Sequence, residues 1–116
     1  MNEKCKLTKL EADVLNKSLM EFVTPAPTSH QLINNIEVIS REFTGKGFYT
    51  DFKESTLLKV SDEHFEFTGG GCGAVLNAEI LVGFLLFIKK GYLYSLEGYT
   101  YSDPWPSEIK SFTIDD

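Results

Sequence analysis

The sequence predicts an α+β protein in which one or two N-terminal helices pack on a mainly antiparallel sheet of about six strands. Apolar residues recur every three or four positions between Leu7 and Val23, the period of one helix face. From Ile36 onward the chain turns to short runs rich in β-branched and aromatic residues. The breaks between those runs are hairpin-sized, too short for the crossover helices that a parallel sheet needs. One domain over residues 1–116 is expected, helical over 7–36 and sheet over 37–114, with no repeat or low-complexity tract.

The helical segment is "LTKLEADVLNKSLMEFV", where Leu7, Leu10, Val14, Leu15, Leu19, Phe22 and Val23 mark the buried stripe. Thr8 and Glu11 have the spacing of a capping box, in which each side chain satisfies the other's orphan amide. The prolines of "TPAPTS" end the helix, and Ser29 can cap a second, short one reaching about Asn35.

Strands follow. "IEVISREFT" and "FYTDFK" flank Gly45 and Gly47, which permit a tight turn. "ESTLLKVSDE" is a looser connection leading to "HFEFT". Beyond a glycine cluster come "AVLNAEI", "GFLLFIKK" and "YLYSLEGYTY", with "KKG" as the hairpin turn between the last two. "GFLLFI" shows no alternation and so predicts a central strand covered on both faces. The tail "SDPWPSEIKSFTID" reads as a proline-bracketed loop with one short last element.

Composition excludes several classes. The net charge of −6, with its eleven basic residues scattered, opposes binding to nucleic acid or an anionic membrane surface. The same charge suits a basic partner protein, through steering of association. Cys5 and Cys72 match no metal spacing and make no disulfide framework. The N-terminal residues lack the apolar core of a signal peptide, and "EILVGFLLFI" is about half a membrane span, so the expected location is the cytoplasm.

The stretch "EFTGGGCGAVLNAEI" is the most enzyme-like in the chain. It lacks the lysine of a phosphate loop, since nothing basic lies between Thr68 and Ile88. Gly69, Gly71 and Ala74 fit a loose dinucleotide fingerprint, but "GFLLFI" begins nine residues after Ala74 and leaves no room for a helix. Cys72 has only His30 and His64 as prospective bases, in no recognisable order with an Asn or Asp. The cluster therefore reads as a mobile bend or bulge between two strands. No cofactor or metal is expected.

The remaining candidates are polar and aromatic residues on strands. Strict alternation puts Leu93, Ser95, Glu97, Tyr99 and Tyr101 on one face of the last long strand. Of these, Glu97, Tyr99 and Tyr101, with Arg41, Glu42, Asp103 and Trp105, form a candidate interaction surface or pocket, because Tyr and Trp anchor interfaces with few torsions to freeze. A purely structural arrangement competes: Glu97 pairs with Arg41 to tie two strands while Trp105 caps one end of the core. Hydrolysis by a carboxylate pair drawn from Glu42, Asp51, Glu97 and Asp103 would need a cleft that this length hardly provides.

"SREFTGKGFYTDF" and "GFLLFIKKGYLYSLEGYTYSDPWP" resemble a family of small bacterial proteins. The family shares an Arg-Glu-Phe/Tyr-Thr-Gly-x-Gly-Phe block and a Leu-Glu-Gly-Tyr-Thr-Tyr…Trp-Pro block. Arg41, Glu42, Gly45, Gly47, Glu97, Tyr99, Tyr101 and Trp105 fall on matching positions, and the resemblance covers roughly residues 36 to 112. It implies a compact bacterial cytoplasmic protein and brings no catalytic assignment. The glycine run departs from the family's loop.

Small size, acidity and the lack of a catalytic constellation make a non-enzymatic protein-binding module the first expectation, in particular an immunity protein neutralising a co-encoded toxin. The alternative is a small-ligand-binding or hydrolytic protein with a pocket lined by Arg41, Glu97, Tyr99, Tyr101 and Trp105. The two differ on whether Arg41, Glu97 and Trp105 meet.

Overall fold

Thr8 and Glu11 start the longer of the described helices as the capping box requires. Thr8 Oγ1 accepts from the Glu11 amide at 3.1 Å, and Glu11 Oε1 accepts from the Thr8 amide at 2.8 Å. The computed structural model describes residues 6–19, 29–60 and 66–114. Within them, α1 runs over Lys9–Leu19 and α2 over Ser29–Asn34. The expected reach of α1 to Val23, the "TPAPT" stop, the side chains of Ser29 and His30, and Cys5 and His64 fall outside the described residues.

The strands are β1 (Val38–Phe43), β2 (Gly47–Phe52), β3 (Phe67–Leu76), β4 (Ile80–Lys89), β5 (Tyr92–Thr100) and β6 (Phe112–Ile114). They form one sheet in the order β1-β2-β5-β4-β3-β6, with every pairing antiparallel. The expected α+β class is the observed one.

Alternation decides which face each residue meets. Phe48, Thr50 and Phe52 of β2, Val82, Phe84, Leu86 and Ile88 of β4, and Ala74 and Leu76 of β3 are buried under the helices. Leu10, Val14, Leu15 and Leu19 of α1 meet them, and Leu32 of α2 joins the same core. A fully buried Leu or Phe contributes about 1.5–3 kcal/mol from apolar area alone, so this single layer between helices and sheet dominates the stability.

Three expectations need correction. β4 is central but its two faces are covered unequally: its core-side residues are buried, whereas on the other face Leu81 is 58% exposed and Leu85 and Phe87 are half-buried. No described helix lies over that second face.

Of the two forms expected for the glycine cluster, the structure has the bulge and not the bend between strands. It lies within β3, which pairs with β4 from Phe67↔Ile88 to Leu76↔Ile80 and carries a bulge between Gly70 and Gly73. The chain reverses instead at Asn77–Glu79, inside what looked like the strand "AVLNAEI". There Asn77 and Ala78 adopt positive φ, 53° and 63°.

β5 does not alternate strictly. A register shift between the pairs Phe87↔Ser95 and Ile88↔Leu93 puts Leu93 on the core side, opposite to Ser95, Glu97 and Tyr99. The β4–β5 turn falls at Lys90 and Gly91 as expected, both with positive φ, which suits a two-residue hairpin loop.

The tail is tied down at two points. The Trp105 amide donates to the Gly45 carbonyl at 2.9 Å, and the Thr100 hydroxyl donates to the Asp103 carbonyl. Further on, Asn77 Oδ1 accepts from the Lys110 amide at 2.7 Å while its Nδ2 donates to the Glu108 carbonyl at 3.0 Å. These bonds deliver β6 to the edge of β3.

Candidate functional site

Neighbouring positions on β1 part company. Arg41 pairs with Thr50 and Glu42 pairs with Tyr49, while on the other side of β2 Thr50 pairs with Leu96 and Tyr49 with Glu97. The first row faces the helices and the second faces away. The named candidates therefore divide between two sides of the sheet.

On the helix side, Arg41 is held by Glu11, not by Glu97. Its Nε donates to Glu11 Oε2 at 2.9 Å and its Nη2 donates to Oε1 at 2.7 Å. The Thr50 hydroxyl also donates to Oε2, at 2.6 Å, and Arg41 Nη2 reaches the Lys6 carbonyl at 3.0 Å. The expected Arg41–Glu97 pair fails because the two side chains leave opposite faces. Glu11 was missed as Arg41's partner, although it stands four residues after Leu7 and three before Val14, an acid inside the apolar stripe. Buried at 1% exposure, it needs a cation and donors to replace its water, and it has both.

Trp105 is on this side too. Its ring meets Phe48 edge-on at 5.1 Å and packs against the margin of the core, so it closes the open end of the helix–sheet layer. Between it, Arg41, Phe43 and Pro106 lies an open groove of about 310 Å3. The groove is at the small end for ligand pockets, and the Arg41 charge in its wall is already neutralised by Glu11. Asp103 lies in the exposed loop before it, beside Glu79.

On the far side, Glu42, Tyr49, Glu97 and Leu85 form one cross-strand row, and Ser40, Asp51, Ser95 and Phe87 the next. The Ser40 hydroxyl donates to Asp51 at 3.2 Å within that second row. A third row reads Gly47, Tyr99, Gly83, Gly73, so across four strands it holds one side chain. Tyr99 lies in the trough this leaves: a Cβ on residue 83 would come within 2.6 Å of its Cζ and hydroxyl oxygen. Tyr101 packs edge-on against Tyr99, ring centroids 5.6 Å apart at 81°.

Electrostatics follow this geometry. Hydrogen bonding to Glu97 and the charge of that carboxylate raise the Tyr49 pKa above its ordinary 10.0, with smaller effects of desolvation and of Glu42. Burial raises Tyr99, and Tyr101 and Glu97 push the same way. On the same face, Lys89 Nζ sits 5.1 Å from the centre of the Tyr94 ring, a cation–π contact.

The structure thus joins Arg41 with Trp105 and, separately, Glu42, Glu97, Tyr99 and Tyr101 with Tyr49. Tyr49 was absent from the candidates, although Phe48, Thr50 and Phe52 inside predict it outside. Among the described residues no three His, Cys, Asp or Glu side chains are grouped as a metal site, and no helix is long and apolar enough to cross a membrane. No protein-family model, curated protein or solved structure matches the chain.

Proposed function

We propose that the chain is a non-enzymatic protein-binding module which presents the sheet face that no described helix covers to a basic partner, and that it acts as an immunity protein neutralising a co-encoded toxin. One observation carries the reading: a face with no described helix over it bears Tyr49, Tyr94 and Tyr99 beside Glu42, Asp51 and Glu97. Tyrosines bury much area with few torsions to freeze, and are enriched where interfaces are tightest. The carboxylates, with the net charge of −6, favour a cationic surface and speed its approach. Six strands about 4.8 Å apart, most of them six to ten residues long at about 3.3 Å each, span roughly 25 by 25 Å, on the order of the 800 Å2 that a standard interface takes from each partner. The small-ligand reading required one pocket shared by Arg41, Glu97, Tyr99, Tyr101 and Trp105, and these side chains are on two sides of the sheet.

The test is co-expression with the product of the adjacent gene. Growth arrest by that product, relieved by the chain and not by a folded Tyr49→Ala/Glu97→Lys variant, supports the proposal. An adjacent product that is harmless and forms no complex with the chain overturns it.

A further inference from the structure

The trough around Tyr99 is more selective than the rest of the face. Glu97 and Tyr99 lie two residues apart on one strand, about 6.6 Å, and point the same way. A flat cation set between them reaches the carboxylate with its edge and the phenol ring with its face. The ring is kept in place: Gly83 leaves the room it occupies, and Tyr101 stands against it at 81°. The cross-strand partner of Glu97 is Tyr49, whose raised pKa reflects the nearby carboxylate. A carboxylate has lone pairs on both oxygens for a pair of donors.

We propose that Glu97, Tyr99 and Tyr101, steadied by Tyr49 and Gly83, form the seat for one arginine side chain of the partner. This deepens the reading of the face as a docking surface for a basic protein and rests on it. Arginine suits the seat better than lysine, because its guanidinium stacks flat on an aromatic ring and offers paired N–H groups to a carboxylate. Lys89 over Tyr94 shows the weaker, point-charge version of such a contact on the same face. The anionic Glu97 beside the ring also excludes an acidic or phosphorylated ligand from this position.

The probe is an end-blocked Gly-Arg-Gly peptide titrated into the isotopically labelled chain and followed by amide and tyrosine ring NMR, beside Gly-Lys-Gly and Gly-citrulline-Gly. The expected result is saturable shifts centred on Tyr49 and Glu97–Tyr101, at least threefold tighter for arginine than for lysine, and none for the uncharged citrulline. Glu97→Gln weakens the arginine peptide at least fivefold. Gly83→Ala, which removes no binding group but displaces the Tyr99 ring, does the same while the spectrum stays that of the folded chain. Equal binding of citrulline, or indifference to both substitutions, overturns the arginine seat. An Arg-rich decapeptide separates this from the parent reading: shifts confined to Ser40, Asp51 and Phe87 keep the face and overturn the seat, and shifts nowhere on the face overturn both.

Discussion

Arg41 grips both oxygens of Glu11, through Nε at 2.9 Å and Nη2 at 2.7 Å, and so ties the first turn of α1 to the edge strand β1. The same carboxylate completes the capping box with Thr8 and accepts from Thr50 on β2. One buried acid therefore fixes where the helix begins and how it sits on the sheet. Glu11→Ala should lower stability by about 3–5 kcal/mol, because it leaves Arg41 and Thr50 without their acceptor. Glu11→Leu with Arg41→Met should cost far less than that, since no charge is stranded. Urea denaturation of the two variants checks both statements.

Alkaline titration probes the other face. The pKa values of Tyr49 and Tyr99 are raised in the folded chain, so above the ordinary 10.0 the unfolded chain binds fewer protons at these sites. Their contribution to stability is whole below that value and is lost as the pH rises through their folded-state values. Phenolate absorbance should show delayed ionisation, and Glu97→Gln should bring Tyr49 down toward its ordinary value. A titration unchanged by Glu97→Gln would contradict the Tyr49–Glu97 contact.

The β3–β4 turn stores backbone strain at a residue that gains nothing from it. Ala78 has φ 63°, a conformation that costs a residue with a Cβ roughly 1–2 kcal/mol. Ala78→Gly should stabilise by roughly 0.5–1 kcal/mol after the entropy of the unfolded glycine is counted. Asn77 also has positive φ, but its side chain holds Glu108 and Lys110. Asn77→Ala should therefore cost about 2–3 kcal/mol, and Asn77→Gly about 1 kcal/mol less, because glycine relieves the backbone without restoring the clasp. Thermal melts rank all three.

Trp105 and Cys72 differ sharply in what they hold together. Trp105→Ala removes the ring that seals Phe48 and should cost roughly 1–3 kcal/mol, less than for a fully buried Trp because the ring is half-exposed. Cys72→Ser, half-buried in β3, should change stability by about 1 kcal/mol or less. Calorimetric unfolding of the two variants should show that order, and its reversal would mean that the glycine-rich strand matters more than the tail.

Much of the fold was legible because local chemistry agreed with it. Thr8 and Glu11 announced the helix start, and Lys90-Gly91 announced the last hairpin. What was misread lay where one residue breaks a period. The bulge in β5 turns Leu93 inward, so strict alternation put it on the wrong face. Gly70–Gly73 is a bulge inside a strand because β4 pairs on both sides of it, a long-range fact that three adjacent glycines do not reveal. The candidate site was half legible for the same reason. Glu97, Tyr99 and Tyr101 were chosen from β5 alone, but the parity between β1, β2 and β5, which sends Arg41 to Glu11 and leaves Tyr49 with Glu97, exists only once register is set.

The central claim is that the sheet face bearing Tyr49, Glu97 and Tyr99, over which no described helix lies, does the binding. The most direct measurement is calorimetric affinity for the product of the adjacent gene, which the proposal takes as the partner, comparing Glu97→Lys on that face with Asp13→Lys on α1, which reverse one charge each. The account predicts at least tenfold weaker binding for Glu97→Lys and little change for Asp13→Lys. Equal affinity for Glu97→Lys and the unaltered chain, with the loss at Asp13→Lys, would place the interface on the helices and contradict it.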